Sequence, residues 1–217
     1  CVCMFSIAST IVMEPREPRR PWTLYSGVGA TTPVKQMSLN FGAPGDRRDK
    51  QGQLWLAYPR PVPNPSLETS LDLKLQFEAE FLPGGGFFTS DGDASERRAP
   101  EQAWIAASGA RGLKRLAIPL RGAGDGPGAY TLRLVFAAAA GEPAGQRVCD
   151  VRVQGELACP NVDAAVPSED AAGFVVREVK HVPVTDHLVI EFSSPQAAPT
   201  PQQIPVLCGL EVERSVP

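Results

Sequence analysis

Histidine is nearly missing from this chain: His181 and His187 are the only two. There is also no HExxH, no CxxC and no GxSxG, so zinc-hydrolase, thiol-redox and serine-hydrolase chemistry lack their usual residues. Both histidines sit in strand-like segments, where an exposed or half-buried imidazole is the plain expectation. No apolar run approaches the roughly 20 residues that a membrane-spanning helix needs. A basic excess is missing too: 21 Lys+Arg face 24 Asp+Glu, for a formal charge of -3 and a pI near 5.5. Such a chain has no broad positive field for a nucleic-acid backbone or an anionic membrane. We expect neither partner.

Cysteine is sparse and odd in number: Cys1, Cys3, Cys149, Cys159 and Cys208 do not make a small-domain disulfide scaffold. Cys149 and Cys159 lie symmetrically about Gln154 in RVCDVRVQGELAC. A hairpin turning at Gln154-Gly155 would set them opposite each other, as a bridge or as two buried free thiols, and both readings stand. The chain opens CVCMF, with no initiator Met and no charged leader before an apolar stretch. It reads as a fragment or processed product, Cys1 being a truncation boundary or a lipoprotein-type mature terminus.

What the sequence does have is 20 Gly and 22 Pro set between apolar runs, as in many strands joined by turns. Its 217 residues suit one large domain, or one domain with an appendage. Residues 1–12 read as a strand, and Glu14 to Pro21 as a proline-rich linker. In LDLKLQFEAEF, Leu71, Leu73, Leu75, Phe77, Ala79 and Phe81 take every odd position, the pattern of a strand with one wet face. Further strands are expected at 130–136, 147–153, 174–182, 187–192 and 204–213. No amphipathic helix beyond about two turns is visible, and PGGGFFTSDGDASERRAPEQ, 83–102, reads as a long polar, mobile loop. The fold class is therefore all-β, an antiparallel β-sandwich.

The stretch LNFGAPGDRRDKQGQLWLAYP, 39–59, gathers glycines, charges, a tryptophan and a tyrosine. It is not a phosphate loop, because Gly42 and Gly45 do not form GxxxxGK[ST] and no helix follows. Asp91, Asp93 and Ser95 start like a calcium loop, but Glu96 replaces the required glycine and Gln102 the bidentate Glu. Ser108 has no partner in sequence that would mark a nucleophile. Acid pairs for glycoside hydrolysis depend on separation in space, which sequence does not supply. No cofactor and no metal is expected.

YTLRLVFAAAAGEPAGQRVCDVRVQG, 130–155, followed by FVVREV, HLVIEF and a closing IPVLCGLEVE, resembles the malectin and malectin-like carbohydrate-binding modules. In those modules Y-x-V-x-L-x-F leads to G-Q-R-x-F-D-V-x-x-N-G, then to strands of I-E-F and I-x-x-I-E-V type. LNFGAPGDRRDKQGQLWLAYP is similar to their opening turn, polar loop and G-x-x-W. The likeness covers 39–59 and 130–213, with 60–129 as an unmatched or expanded middle. Cys149, Gln154 and Ala138 depart from the usual Phe, Asn and acid.

The resemblance implies a jelly-roll-like sandwich over 39–217 that binds glucose-type oligosaccharides noncatalytically. Aromatic rings would stack on sugar and a loop acid would hold its hydroxyls. The positions that inherit these roles are Trp55, Tyr58, Trp104 and Asp163. Trp55 reads equally as a core plug, since Leu54, Leu56 and Tyr58 share one strand face and Trp55 with Ala57 the other. CVCMFSIASTIVMEP with PWTLYSG, within 1–38, resembles the tail of a quinoprotein-like (PQQ-like) β-propeller. That implies an exported multidomain parent and packing against a propeller. The alternatives are a structural or interaction module that kept the sandwich without the sugar site, and a small hydrolase with an acid pair.

Overall fold

The computed structural model describes residues 25–26, 29–30, 33–59, 77–89, 103–137, 143–165 and 174–215. Two short strands, β1 (Tyr25–Ser26) and β2 (Gly29–Ala30), pair only with each other. The others are β3 (Gln36–Phe41), β4 (Arg47–Arg48), β5 (Leu54–Tyr58), β6 (Glu78–Thr89), β7 (Ser108–Pro119), β8 (Gly128–Ala137), β9 (Val148–Val153), β10 (Glu156–Asp163), β11 (Phe174–Val184), β12 (His187–Ser193) and β13 (Leu207–Arg214).

These strands form two layers. One, wholly antiparallel, runs β6-β7-β12-β9-β10. The other runs β11-β8-β13-β3-β5-β4, with β3 and β5 parallel. A single bridge, Leu207 to Ala110, joins them at one end. Between the layers lies the main core, in which Leu116, Ile118, Val151 and Ile190 meet Met37, Leu132, Leu134 and Leu210. The all-β sandwich read from the sequence is the observed fold.

Period-two alternation also produces a second apolar face. Leu56, Phe136 and Leu207 point into the main core, whereas their chain neighbours Trp55, Val135 and Cys208 belong to a separate cluster. That cluster lies on the outer face of the β11-to-β4 layer. A short 3₁₀ turn, Ala103–Ala107, covers it with Ile105 and Trp104.

Three expectations need correction or placement. Residues 83–89 are not loop: PGGGFFT continues β6, and the register against β7 shifts between Phe81 and Gly86. The glycines accommodate that bulge, so a composition typical of a turn sits inside a strand. In the 71–81 pattern, Glu78 and Glu80 are exposed while Ala79 and Phe81 are half-buried, as alternation requires. Residues 1–21, 71–76 and 90–102, with the linker and the calcium-like segment, lie outside the described residues.

The hairpin does turn at Gln154-Gly155, with φ of 54° and 82°. Its cysteines are not opposite, however: Cys159 pairs with Val151 and Cys149 with Val162, because β10 carries register shifts. Both thiols are free and buried, as is Cys208. Burial pushes Cys149 and Cys208 up to about 12, so both are neutral thiols at pH 7. Gln154 also ties the turn to its neighbours, donating to the Pro183 and His187 carbonyls and accepting from the Val189 N–H at 2.9 Å.

Candidate functional site

The opening stretch folds into a hook at one end of the sandwich. β3 places Met37, Leu39 and Phe41 inward, which leaves Asn40 on the outer face. Gly42 then reverses the chain at φ 70°, its N–H donating to the Tyr58 carbonyl at 2.6 Å and its carbonyl accepting from the Thr89 hydroxyl. A Cβ at Gly42 would run into the Phe88 carbonyl, so glycine is required here.

Most of the charge run GDRRDK is used by its own backbone. Asp46 accepts the Ala57 N–H at 2.9 Å. Asp49 takes the Gln53 N–H at 2.8 Å and the Trp55 indole N–H at 3.2 Å. Arg48 donates to the Gly52 carbonyl at 2.8 Å. Arg47 is different: its guanidinium lies over the Trp104 ring, 4.7 Å from the centroid. Trp104 in turn meets Trp55 edge to face at 5.9 Å.

Between the hook and the 3₁₀ turn opens a cleft of about 310 Å³, lined by Asn40, Asp46, Arg47, Thr89, Trp104 and Ser108 among others. The Ser108 hydroxyl donates to the Asn40 side-chain oxygen at 3.2 Å, and both residues are buried. Asn40 Nδ2 has no partner among the described residues. Since no buried side-chain nitrogen or oxygen there lacks one, this amide end reaches solvent through the cleft. The cleft thus offers an aromatic ring, a guanidinium and an amide donor. Asp46 is its one carboxylate among the described lining residues, so the paired acids of a glycosidase are not assembled there.

Of the four residues singled out in sequence, the structure brings Trp55 and Trp104 together, with Trp104 on the cleft and Trp55 beneath it, 1% exposed. Tyr58 faces the other side of its strand, half-buried against Phe41, Phe77 and Phe87, and desolvation raises its phenol pKa. Asp163 ends β10, three strands along its layer from β7, or about 14 Å at the usual strand spacing. Its carboxylate accepts the Gly145 N–H at 2.7 Å and the Ala165 N–H at 2.9 Å, clamping two loop segments together. Asn40, Arg47 and Thr89 were missed in sequence, because nothing local marks which polar residues a distant turn will roof over.

The histidines stand apart from the cleft. His181 occupies a bulge of β11 at φ 57°, and exposed His187 contacts Asp186 at 2.8 Å. Among the described residues no group of three or more His, Cys, Asp or Glu is arranged to hold a metal ion. No helix of those residues is long and apolar enough to cross a membrane.

At the opposite end, Arg121 is buried. It donates to the carbonyls of Gly126 and Asp125 and, at 3.4 Å, to the Tyr130 hydroxyl, which donates to the Val34 carbonyl at 3.1 Å. This guanidinium organises the 122–127 loop.

No protein-family model and no curated protein matches the chain. Solved structures do. The plant receptor-like kinase ANX1 superposes with a TM-score of 0.53 at 16% identity, over 83% of this chain and 42% of that one. The ANX2 ectodomain from Arabidopsis thaliana gives 0.52 at 17%, over 84% and 42%. A calcium-binding mutant of β-glucuronidase 2 from Bacteroides uniformis gives 0.51 at 12%, over 83% and 18%. The chain thus spans less than half the length of each. At these identities the likeness concerns the fold, which is malectin-like.

Proposed function

We propose that this chain is a noncatalytic carbohydrate-binding module for glucose-type oligosaccharides. The observation that carries the reading is the cleft, where the half-buried Trp104 ring borders a buried Asn40–Ser108 floor with one amide donor open to solvent. An indole supplies the apolar surface that a pyranose face needs, and the floor fixes its hydroxyls. Trp55 supports the ring from below, and Asp163 acts on loop geometry. The reading extends to an exported, multidomain parent that packs this module against a propeller. It rests on the resemblance of the first residues to a propeller tail and on an ectodomain among the structural neighbours.

The test is calorimetric titration of the whole chain with glucose, maltose, cellobiose and cellobiouronic acid. Saturable heat that Trp104→Ala weakens about tenfold, in a variant that still melts cooperatively, supports the reading. Flat traces across the panel from folded protein overturn it. The second reading, a structural or interaction module, would then take its place. It is favoured by the burial of Trp55 and the packing of Tyr58 into the main core.

A further inference from the structure

Of the two arginines in GDRRDK, Arg48 is tied to its own loop and Arg47 is not. None of the ion pairs among the described residues engages Arg47; they use Arg115, Arg133, Lys180 and His187. The residue is exposed, and its guanidinium is held over Trp104 at the cleft wall. A stacked guanidinium keeps its edge donors free, and those donors match a planar, two-oxygen acceptor. The second open donor is Asn40 Nδ2, on a residue that is 3% exposed and lines this cleft. Both groups are donors open to the cleft, where a ligand oxygen can take the place of water as their acceptor.

We propose that the cleft selects a sugar carrying a carboxylate, a uronic acid residue of an oligosaccharide. Arg47 grips the carboxylate and the Asn40 amide holds a neighbouring oxygen. The inference deepens the carbohydrate-binding reading and rests on it. Arg47 is the one cation among the described lining residues, and it matches one negative charge. A dianionic phosphate would exceed it, the more so because Asp46 adds a fixed negative charge to the same lining. Arg47 is therefore a specificity-determining residue, since a neutral pyranose leaves its fork unanswered and must displace or share the Trp104 face. Asp46, its carboxylate bound to the Ala57 N–H, works against the anion and limits the affinity.

The experiment compares cellobiose, cellobiouronic acid, the methyl ester of that acid and cellobiose 6-phosphate by titration into the whole chain at fixed pH and two salt concentrations. We expect the acid to bind at least about tenfold more tightly than cellobiose or the ester, the usual effect of one charge-assisted bidentate contact. That preference should shrink at high salt. Arg47→Met should bring the ratio of the acid and cellobiose affinities close to one, whatever it does to cellobiose itself, Arg47→Lys should restore part of the preference, and Asp46→Asn should strengthen it. Equal affinity for acid and neutral sugar, both lost in Trp104→Ala, overturns the uronate assignment and leaves the carbohydrate-binding reading intact. Tighter binding of the phosphate, or an acid preference that survives Arg47→Met, also overturns it. No binding of any sugar overturns both.

Discussion

The two ends of the sandwich each carry an arginine held by neighbouring groups, and the two guanidiniums face opposite circumstances. Arg121, past the end of β7, is 2% exposed and its donors go to the Gly126 and Asp125 carbonyls and the Tyr130 hydroxyl. Arg47, at the end where β7 begins, is exposed over Trp104 with no carboxylate partner among the described residues. The difference lies in solvation. A buried guanidinium must satisfy its donors within the protein, and it then fixes structure. One left at a cleft wall leaves them to solvent. Each end also depends on a glycine for close approach: Gly42 against the Phe88 carbonyl, and Gly128 against the Arg121 side chain itself.

The sharpest way to break this comparison is Arg121→Ala. It leaves buried carbonyls and the Tyr130 hydroxyl without their donor, and we expect a loss of at least about 3 kcal/mol in urea unfolding. A midpoint unchanged from the parent would mean that this end does not depend on its arginine. Gly42→Ala comes next: a left-handed backbone and a blocked Cβ should cost roughly 2 kcal/mol or more and distort the hook. If its melting temperature and sugar titration match those of the parent, the hook is not held as described.

Tyr130→Phe deletes one hydroxyl that accepts from Arg121 and donates to Val34. A loss of about 1 kcal/mol is the expectation, read by the same unfolding curve. The smallest effect belongs to Arg47→Met, which should change stability by no more than about 0.5 kcal/mol, as for an exposed side chain. A loss as large as that of Arg121→Ala would erase the distinction between the two arginines.

How much of this was legible in the residues varies with the element. Strands β8, β9, β11 and β12 appeared within a residue or two of their ends, because each alternates core and solvent positions. Strand β7 did not appear. SGARGLKRLAIP is buried at Ser108, Gly109 and Ala110 in succession, since neighbours cover both of its faces, and that erases the period-two signal. Its continuation of the sheet past the glycine-rich part of β6 was hidden for a related reason: a bulge uses residues that composition assigns to turns.

The candidate site was legible only in part. The 39–59 stretch was singled out, and the two faces of β5 were read correctly, with Trp55 on one and Tyr58 on the other. Trp104 was named, but its contact with Trp55 follows from a 3₁₀ turn that docks across the layer. Asp163 carried the expected acid yet clamps loops at the far edge of the other layer. A carboxylate near backbone N–H groups is recognisable in structure, whereas in sequence it looks the same as one that faces a ligand.

The sequence by itself determined the class of fold, the hairpin at Gln154-Gly155 and the polarity of most strand faces. All three follow from local rules, namely period-two alternation and the conformational freedom of particular turn residues. Only the tertiary structure decided that Cys149 and Cys159 miss each other, that Asp46 and Asp49 bind their own loop, and that Asn40, Trp104 and Arg47 share a cleft. Those outcomes depend on register shifts and on which distant segment covers a given surface. Such long-range pairings leave no periodic trace in the chain.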